Sequence, residues 1–493
     1  MLLLGIDLGT SAIKVSVVDA HTQQVLATAQ YPDTEAPIVS LQTGWAEQDP
    51  GQWWHDIKQC ILKAHASGAY RPADIGAIGI AYQMHGLVVM DKAGQPLRHS
   101  IIWCDSRAVP YGQAAFSAIG QAHSLRTLLN SPGNFTAAKL AWVKEHEPDL
   151  YARIDKLMLP GDFIGYQFTG ELTTSPAALS EGILWDFSQH QVATEVMNYF
   201  GFDASLIPAV QPAFSRHGGL LPSVAAELGL TAGTPVTYKA GDQPNNALSL
   251  NVMQPGEVAT TAGTSGVIYG VASQVQPDMQ SRLNCFAHVN HTATAPRIGL
   301  LLCINGCGIM NKMARQWLAP QWSYAAIDEM VASIPAGSEG VTVLPFGNGA
   351  ERMLNNALPG AQLARLDLNR HGAAHLLRAT QEGIAFAFRY GFDIMRSMGM
   401  QPQMIRAGKA NMFQSQVFTD AFVNCTNTPV ELYKTDGATG AALGAGIGAA
   451  ALQPTDLGKG LELQGIVAPD GQQRYEEAYQ RWLTCLQQTV PGT

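Results

Sequence analysis

The sequence predicts an α/β protein built from two related halves. Apolar, β-prone runs alternate with helix-like runs over roughly the first half of the chain, which is typical of layered α/β folds. A strand–turn–strand pattern around Thr10 then returns around Thr264, about half a chain later. That spacing is too long for a solenoid repeat and indicates a duplicated domain. We therefore expect two domains, residues 1–248 and 249–493, with a boundary near 245–255.

The first half is predicted to begin with a three-stranded meander. The apolar run after Met1 ends at Asp7, a tight turn follows at Gly9-Thr10-Ser11, and two more β-prone runs come next. A helix and a further strand continue the alternation. The expected ranges are strands at 2–7, 13–18, 25–29 and 75–81 and a helix near 52–67.

The second half repeats this opening and then becomes helical. After Pro255-Gly256 the sequence again reads as strand, Gly-Thr-Ser-Gly turn and strand. A long helix with one apolar face follows, and a run of mostly Gly and Ala near the end predicts a helix that packs closely against another element. The expected ranges are strands at 258–262 and 267–270 and helices at 373–396 and 437–446.

Composition narrows the function class. Apolar residues make up 46% of the chain and charged residues 14%, so a large core is available and disorder is not expected. The net charge of −9 argues against nucleic acid or an anionic membrane as the main partner, although it leaves a nucleotide possible. Seven scattered cysteines predict no disulfide framework, and the N-terminus lacks the basic segment of a signal peptide. With no apolar run long enough to span a membrane, we expect a soluble cytoplasmic protein.

Two glycine-and-hydroxyl turns predict a polyphosphate site. Gly9-Thr10-Ser11 and Gly263-Thr264-Ser265 each follow a β-prone run. Small residues allow backbone N–H groups and hydroxyls to approach phosphate closely. Two such loops facing each other would grip one nucleotide between two lobes, which predicts phosphoryl transfer. Asp7, just before the first turn, is either a metal or proton-transfer group or an ordinary turn former, and the duplication favours the first interpretation.

Asp242 is the predicted catalytic base. It ends an apolar run that begins at Pro235, so a strand would deliver it to a domain edge, where functional sites of α/β folds lie. A hydroxyl that attacks ATP needs a base within hydrogen-bond reach, and a carboxylate is the usual choice. The alternative is a turn residue, because residues 243–246 are turn-like.

Two polar clusters suit a sugar. Gln83, Met84 and His85 follow a strand, where their polar groups could hydrogen-bond a polyol, although a lone histidine is more often structural. Trp103, Asp105 and Arg107 alternate after a β-prone run and would share one face of an extended segment. An aromatic ring with an acid and a base suits the faces and hydroxyls of a sugar. The alternative is a surface ion pair beside a buried tryptophan.

A zinc site in the window 285–307 is rejected. Its cysteines and histidines have spacings that fit the zinc motifs poorly. The residues concerned are Cys285, His288, His291, Cys303 and Cys307.

Taken together, these segments resemble the FGGY family of carbohydrate kinases, over nearly the whole chain. Individually the motifs are weak, but in this order and spacing they are specific. The segments that carry the resemblance are Gly5-Ile6-Asp7-Leu8-Gly9-Thr10-Ser11, Gly44-Trp45-Ala46-Glu47-Gln48-Asp49-Pro50 with Trp53-Trp54, Gln83-Met84-His85-Gly86, Trp103-Cys104-Asp105-Ser106-Arg107, Asn134-Phe135-Thr136-Ala137-Ala138-Lys139-Leu140-Ala141-Trp142, Gly241-Asp242 and Ala262-Gly263-Thr264-Ser265-Gly266.

The resemblance implies a fold and a reaction. It implies two ribonuclease-H-like domains of the actin, Hsp70 and sugar-kinase superfamily, with an interdomain cleft. Sugar would lie against the N-terminal domain and ATP mainly against the C-terminal one. Within the family the xylulokinases are the most similar group, which implies D-xylulose as the sugar and D-xylulose 5-phosphate as the product. ATP and Mg²⁺ are implied, and a homodimer is a family-based expectation.

The resemblance also implies roles for matching residues. Asp242 would be the general base, and Asp7 would lie near the phosphates and hold Mg²⁺ through water. The implied sugar contacts are Gln83, Met84, His85, Trp103, Asp105, Arg107 and Gln243, and the implied nucleotide contacts are Asp7, Gly9, Thr10, Ser11, Gly263, Thr264, Ser265, Gly408 and Asn411.

Three segments depart from the family pattern. The adenosine loop at 406–411 keeps only Gly408 of the usual three glycines, the segment 363–367 lacks expected glycines, and Gln243-Pro244 replaces the common Asn-Ala. Two alternatives therefore stay open. One is another kinase of the family, acting on ribulose, fuculose or a polyol, and the other is an ATP-binding sensor or ATPase without sugar transfer.

Overall fold

Two large β-sheets, each covered by helices, form the body of the molecule. The computed structural model describes residues 1–470 and 473–492. The strands are β1 Leu2–Leu8, β2 Ile13–Asp19, β3 Val25–Tyr31, β4 Glu47–Gln48, β5 Ile75–Tyr82, β6 Val88–Met90, β7 Ser100–Ile101, β8 Lys156–Met158, β9 Thr173–Thr174, β10 Trp185–Asp186, β11 Gln191–Val192, β12 Ala209–Val210, β13 Val236–Gly241, β14 Val258–Ala262, β15 Gly266–Ala272, β16 Asn284–Ala287, β17 Ile298–Ile304, β18 Thr342–Phe346, β19 Gly360–Ala364, β20 Ile405–Gly408, β21 Val430–Lys434 and β22 Glu462–Val467. The helices are α1 Pro50–His65, α2 Val109–Ile119, α3 Gln121–Leu128, α4 Thr136–His146, α5 Pro148–Tyr151, α6 Pro160–Thr169, α7 Pro176–Glu181, α8 Thr194–Phe200, α9 Pro222–Leu228, α10 Asp242–Ser249, α11 Gly308–Leu318, α12 Tyr324–Ala332, α13 Ala373–Ser397, α14 Gln416–Thr426, α15 Gly437–Gly448 and α16 Glu476–Thr489.

The first sheet has the strand order β13-β5-β1-β2-β3. Strands β1, β5 and β13 run parallel, whereas β2 and β3 extend the sheet as antiparallel hairpins. The side chains of β1 are buried almost without interruption, because α1 lies on one face of this sheet and α15 on the other. The carboxyl ends of the three parallel strands therefore meet at one edge.

The second sheet repeats the arrangement of the first. Its order is β16-β17-β15-β14-β20-β21-β22, with β14, β20 and β21 parallel and β15 and β17 antiparallel to their neighbours. Strand β14 matches β1, and β15 matches β2, so the Gly263 turn occupies the place of the Gly9 turn. The predicted duplication and the predicted α/β class are confirmed.

The chain crosses between the two halves near its end. Helix α15 lies in the second half of the sequence but packs on β1, β5 and β13 of the first sheet. A Cβ built on Gly5 would lie 1.9 Å from the Ala438 oxygen, and one on Gly79 would lie 2.0 Å from the Ala441 oxygen. The Gly and Ala run is thus a helix that touches a sheet backbone directly. The domain boundary at 248/249 stays a prediction, because one helix beyond it covers the first sheet.

Most predicted elements begin and end within two residues of the observed ones. The exception is the segment after Asp242. Residues 243–246 were expected to be turn-like, but they form the first turn of α10. Among the described residues, no helix combines the length and the apolar character that a membrane crossing demands.

Candidate active site

Three side chains converge at the carboxyl edge of the first sheet. Asp7 lies near the end of β1, Gln83 directly follows β5, and Asp242 directly follows β13 as the first residue of α10. The strand-end positions predicted for Asp242 and for the segment after residue 81 are therefore the observed ones.

Burial raises the pKa of both Asp242 and Asp7. Burial, and then the negative charge of Asp7, raise the pKa of Asp242 to about 7. The Gln243 side-chain amide donates to the Asp242 carboxylate at 3.1 Å and opposes that rise. Burial also raises the pKa of Asp7 to about 6, with Asp436 adding to the rise and Lys14 opposing it. Two crowded carboxyl groups with too little compensating charge are typical of a functional site.

The Asp7 carboxylate fits a magnesium ion. Mg²⁺ prefers hard oxygen ligands and usually keeps waters and substrate phosphates in its shell, so one or two carboxylates suffice on the protein side. The raised pKa values of Asp7 and Asp242 indicate a place where a cation would be stabilised. Gly437 allows the start of α15 to approach Asp7 closely, because a Cβ there would lie 2.3 Å from an Asp7 oxygen.

The first glycine turn is tied to the sugar-side segment by hydrogen bonds. The Thr10 hydroxyl contacts the Gln83 side-chain oxygen at 3.3 Å, and the Trp103 indole N–H donates to the Thr10 hydroxyl at 2.9 Å. Gln48 bridges the two segments: its amide donates to the Thr10 carbonyl oxygen at 2.8 Å and its oxygen accepts from the Gln83 amide at 2.9 Å. Gln83 is itself buried, so its polar atoms serve neighbouring protein groups.

His85 is held in one tautomer. Its Nδ1 lies 3.0 Å from the Glu181 carbonyl oxygen, which can only accept, so Nδ1 carries the proton and Nε2 is left as an acceptor. Burial lowers the pKa of His85 to about 3, which keeps the ring neutral. Lys139, itself buried, donates to the His85 carbonyl oxygen at 2.7 Å. The ring contacts Phe286 of β16 with centroids 5.3 Å apart, so the second half forms part of its surroundings.

The prediction that Trp103, Asp105 and Arg107 share one face of an extended segment is wrong. Strand β7 ends at Ile101, and the chain turns at residues 103 and 104 instead of continuing extended. Asp105 is fully buried and pairs with Arg107 at 2.7 Å, and the Arg107 guanidinium lies 3.8 Å from the ring centroid of Trp45. Only Trp103 is exposed, by 52%. Three alternating residues cannot distinguish a shared face from a turn, because the alternation persists only while the strand does.

The second glycine turn borders a cavity of about 510 Å³. Gly263, Thr264 and Asn411 line it together with Tyr324 and Asp328. The N-terminus of α11 abuts the turn, because Gly308 N donates to the Gly263 oxygen at 2.8 Å. The cavity therefore places the second glycine turn beside a pocket with an aromatic wall.

The atypical loop at 406–411 divides between the cavity and the sheet. Asn411 lines the cavity, whereas Gly408 and Ser265 do not. Arg406 folds away from it: its guanidinium bonds to the Asn251 carbonyl oxygen and lies 3.2 Å from Glu431. Gly408 is the last residue of β20, so its place among the nucleotide contacts stays a prediction.

Several residues near the site carry no sequence motif. Glu181 lies beneath His85, and Asp436 and Lys14 act electrostatically on Asp7. Lys14 had an available signal, since it faces Asp7 in the β1–β2 hairpin. Glu181 had none, because it is isolated in the sequence. Within the described residues, no three His, Cys, Asp or Glu side chains are grouped to hold a metal by themselves, and His288 of the rejected zinc window contacts the Tyr269 hydroxyl at 2.9 Å.

Several known proteins with similar sequence or structure are xylulose kinases. The xylulose kinase of Bacillus subtilis (strain 168) is 28% identical over 91% of this chain and 87% of its own length, and that of Escherichia coli (strain K12) is 29% identical over 90% and 88%. The crystal structure of xylulose kinase from Rhodospirillum rubrum superposes with a TM-score of 0.89 at 25% identity, covering 99% of both chains. The family model described as the N-terminal domain of the FGGY family of carbohydrate kinases matches residues 2–249. Because that match spans half of the sequence and includes the strand ends that carry Asp7, Gln83 and Asp242, the chain belongs to the FGGY family of carbohydrate kinases.

Proposed function

We propose that this kinase transfers the γ-phosphoryl group of ATP to the 5-hydroxyl of D-xylulose, with Asp242 as general base. The observation that carries the proposal is Asp242 itself. It is a carboxylate at a strand end with a pKa raised to about 7. Met84, next to His85 and its free hydrogen-bond acceptor Nε2, lies against the preceding residue, Gly241. The names of the relatives support the choice of sugar, since they match over about nine-tenths of the chain.

Asp242 has the properties of a base matched to neutral pH. A base is most effective when its pKa is close to the working pH, because the ionised fraction and the proton affinity are then both useful. Asp242 would accept the hydroxyl proton as the oxygen attacks phosphorus. Gln243, which donates to the same carboxylate, would keep one oxygen occupied and leave the other for the sugar.

His85 and Met84 would orient the sugar. The free acceptor Nε2 of His85 suits a sugar hydroxyl, and Met84 lies against Gly241, the residue before the base. The exposed Trp103 ring offers an apolar surface for the C–H face of the sugar. Gln83, Asp105 and Arg107 would act on the sugar only indirectly. The Gln83 side chain already binds Thr10 and Gln48, and Asp105 and Arg107 bind each other.

ATP would lie across the two glycine turns with its base in the cavity. Gly9, Thr10 and Ser11 would meet the terminal phosphate, and Gly263, Thr264, Ser265, Gly408 and Asn411 would surround the rest of the nucleotide. Mg²⁺, when bound with the phosphates near Asp7, supplies charge neutralisation for the transferring group. The protein's own part is to place the donor, the hydroxyl and Asp242 in line and to exclude water as the lobes close.

An ADP-release assay over a panel of sugars tests the proposal. D-xylulose, the ribuloses, fuculose and glycerol are each offered with ATP and Mg²⁺, and product mass identifies the phosphorylated sugar. We expect release above the sugar-free rate with D-xylulose, at a higher kcat/KM than with the others. A different preferred sugar would replace the substrate and keep the reaction. Sugar-independent release would indicate an ATPase, and no release in any arm would indicate an ATP-binding sensor.

A further inference from the structure

Glu181 is a buried carboxyl group that contacts three parts of the site. It is the last residue of α7 and is 2% exposed. The Tyr82 hydroxyl donates to one of its oxygens at 2.6 Å, and the His85 backbone N–H donates to the other at 3.3 Å. A Cβ built on Gly241 would lie 3.2 Å from that second oxygen. The carboxyl group therefore touches the end of β5, the sugar-side segment and the residue before Asp242.

The backbone at His85 needs such support. His85 has φ +64°, a left-handed conformation that is uncommon for residues other than glycine. Glu181 holds this residue twice, through its carboxyl group at the backbone N–H and through its own carbonyl oxygen at Nδ1. Loss of the first contact would free the backbone, and the ring with its Nε2 acceptor would move with it.

A buried acid at this place is not explained by stability. Burial raises the pKa of Glu181 well above its usual value, and the charge of Asp242 adds to the rise. In the described part of the chain, no lysine or arginine nitrogen lies within 4 Å of this carboxylate. An apolar side chain of similar size would avoid the cost of burying the group.

The residue before Glu181 faces the second half of the molecule. The Ser180 hydroxyl accepts a hydrogen bond from Ala287 N of β16 at 2.9 Å. β16 is the edge strand of the second sheet, and its Phe286 contacts the His85 ring. The end of α7 thus contacts the base-bearing strand, the sugar-side segment and the edge of the opposite sheet.

We propose that Glu181 is a positioning residue of the sugar site. Its carboxyl group fixes Tyr82 and His85 so that the His85 acceptor and Asp242 face the same bound sugar. The inference rests on the proposed function, because it assumes that sugar binds beside His85.

The test compares Glu181→Ala and Glu181→Gln with an exposed control, Glu195→Ala, which pairs with His123 at the surface of the same half. Sugar affinity is measured by calorimetry, KM for sugar and for ATP by ADP release, and folding by thermal unfolding. We expect Glu181→Ala to raise the sugar Kd and KM by about tenfold or more while KM for ATP stays within about twofold. Glu181→Gln keeps one of the two acceptor oxygens and should therefore raise both values less than Glu181→Ala does. The control should match wild type.

Three results would overturn the inference: unchanged sugar affinity in Glu181→Ala, equal losses in the alanine and glutamine variants, or parallel losses for sugar and ATP. Tyr82→Phe removes the 2.6 Å contact from its other side and serves if Glu181→Ala fails to fold. It should then weaken sugar binding in the same direction, and wild-type affinity would count against the proposal. If the wild-type protein binds sugar but transfers no phosphate, the proposed function fails alone, and the calorimetric comparison still decides about Glu181. If it binds no sugar, both fail.

Discussion

Asp7 and Asp242 illustrate how a sheet edge creates chemistry from ordinary residues. Each lies at the carboxyl end of a buried parallel strand, so the fold brings together two carboxylates that are far apart in sequence. Burial then raises the pKa of both, and the negative charge of Asp7 adds to the rise at Asp242. At the scale of residues, the site consists of charges that the fold leaves uncompensated, and this is the condition under which substrates and cations bind.

The pH dependence of the reaction should report Asp242. A base works only when ionised, so with a pKa of about 7 in the free enzyme, kcat/KM should rise with pH through an acidic limb near neutrality. Gln243 donates to the ionised form and lowers that pKa, so Gln243→Leu should move the limb to higher pH. The check is the pH profile of kcat/KM, with the exposed Gln189→Leu as control. A limb that stays in place would contradict the assignment of either the base or its partner.

Replacing the base should separate activity from stability. Asp242→Asn keeps shape but removes the proton acceptor, so turnover should fall by about 10³-fold or more while calorimetric sugar binding persists. The folded-state pKa is raised, so the native state holds a proton that the unfolded chain has released between about pH 4 and 7. Asp242 therefore lowers stability as pH rises through that window. At pH 8 we expect Asp242→Asn to unfold at higher urea concentration than wild type.

An exposed carboxylate provides the control for that experiment. Asp74→Asn alters a solvent-facing aspartate in the same half and should change neither turnover nor the urea midpoint. Near-normal turnover in Asp242→Asn would exclude Asp242 as the base, and a lower urea midpoint at pH 8 would contradict its destabilising burial.

The periodicity of apolar residues determines which site residues could be predicted from the sequence. Asp7 and Asp242 were predictable, because an apolar run sets the strand and the strand sets the edge. The burial of Asp105 and Arg107 was not, since it depends on Trp45 and Ala46 from a distant segment. Glu181 could not be predicted as a site residue for the same reason: its partners are Tyr82 and His85, about a hundred residues away in sequence.

Among the elements, α15 shows the same limit and a stronger constraint. Its Gly and Ala composition predicted close packing, but its contacts are distant in sequence. Gly79 and Ala441, for example, are more than 350 residues apart. Such a contact leaves no pattern in the local sequence. It does affect stability, because a helix that touches backbone leaves no space for even one methyl group.

Adding a methyl group at Gly79 should therefore be costly. The new Cβ would lie 2.0 Å from the Ala441 carbonyl oxygen, so helix and sheet would have to separate. We expect Gly79→Ala to lower the free energy of unfolding by about 2 kcal/mol or more, as overpacking does. Gly465→Ala, in β22 with no neighbour within 4 Å, is the matched control and should stay within about 0.5 kcal/mol. Equal effects in the two variants, measured by urea unfolding, would contradict direct helix–sheet contact.

For the whole molecule, the position of α15 means that the two halves of the sequence and the two halves of the structure differ. α10 continues directly from β13 of the first sheet yet also contacts β14 and β15 of the second, while α15 returns from the second half to the first sheet. The two helices pack against each other between the sheets. Closure of the lobes around substrates would thus act on two short helices that belong to both sides, one of which begins with Asp242.

This interlocking makes the first half incomplete by itself. A fragment of residues 1–252 contains the whole segment matched by the family model but lacks α15, so the apolar surface formed by Leu3, Ala77 and Tyr238 would face water. We expect the fragment to bind a hydrophobic dye, to give a weak near-UV circular dichroism signal and to unfold without a cooperative transition. Co-expression with residues 253–493 supplies α15 in trans and should restore a folded complex. Cooperative unfolding of the isolated fragment would show instead that residues 1–252 form a self-sufficient domain, and the boundary predicted at 248/249 would then be a structural one.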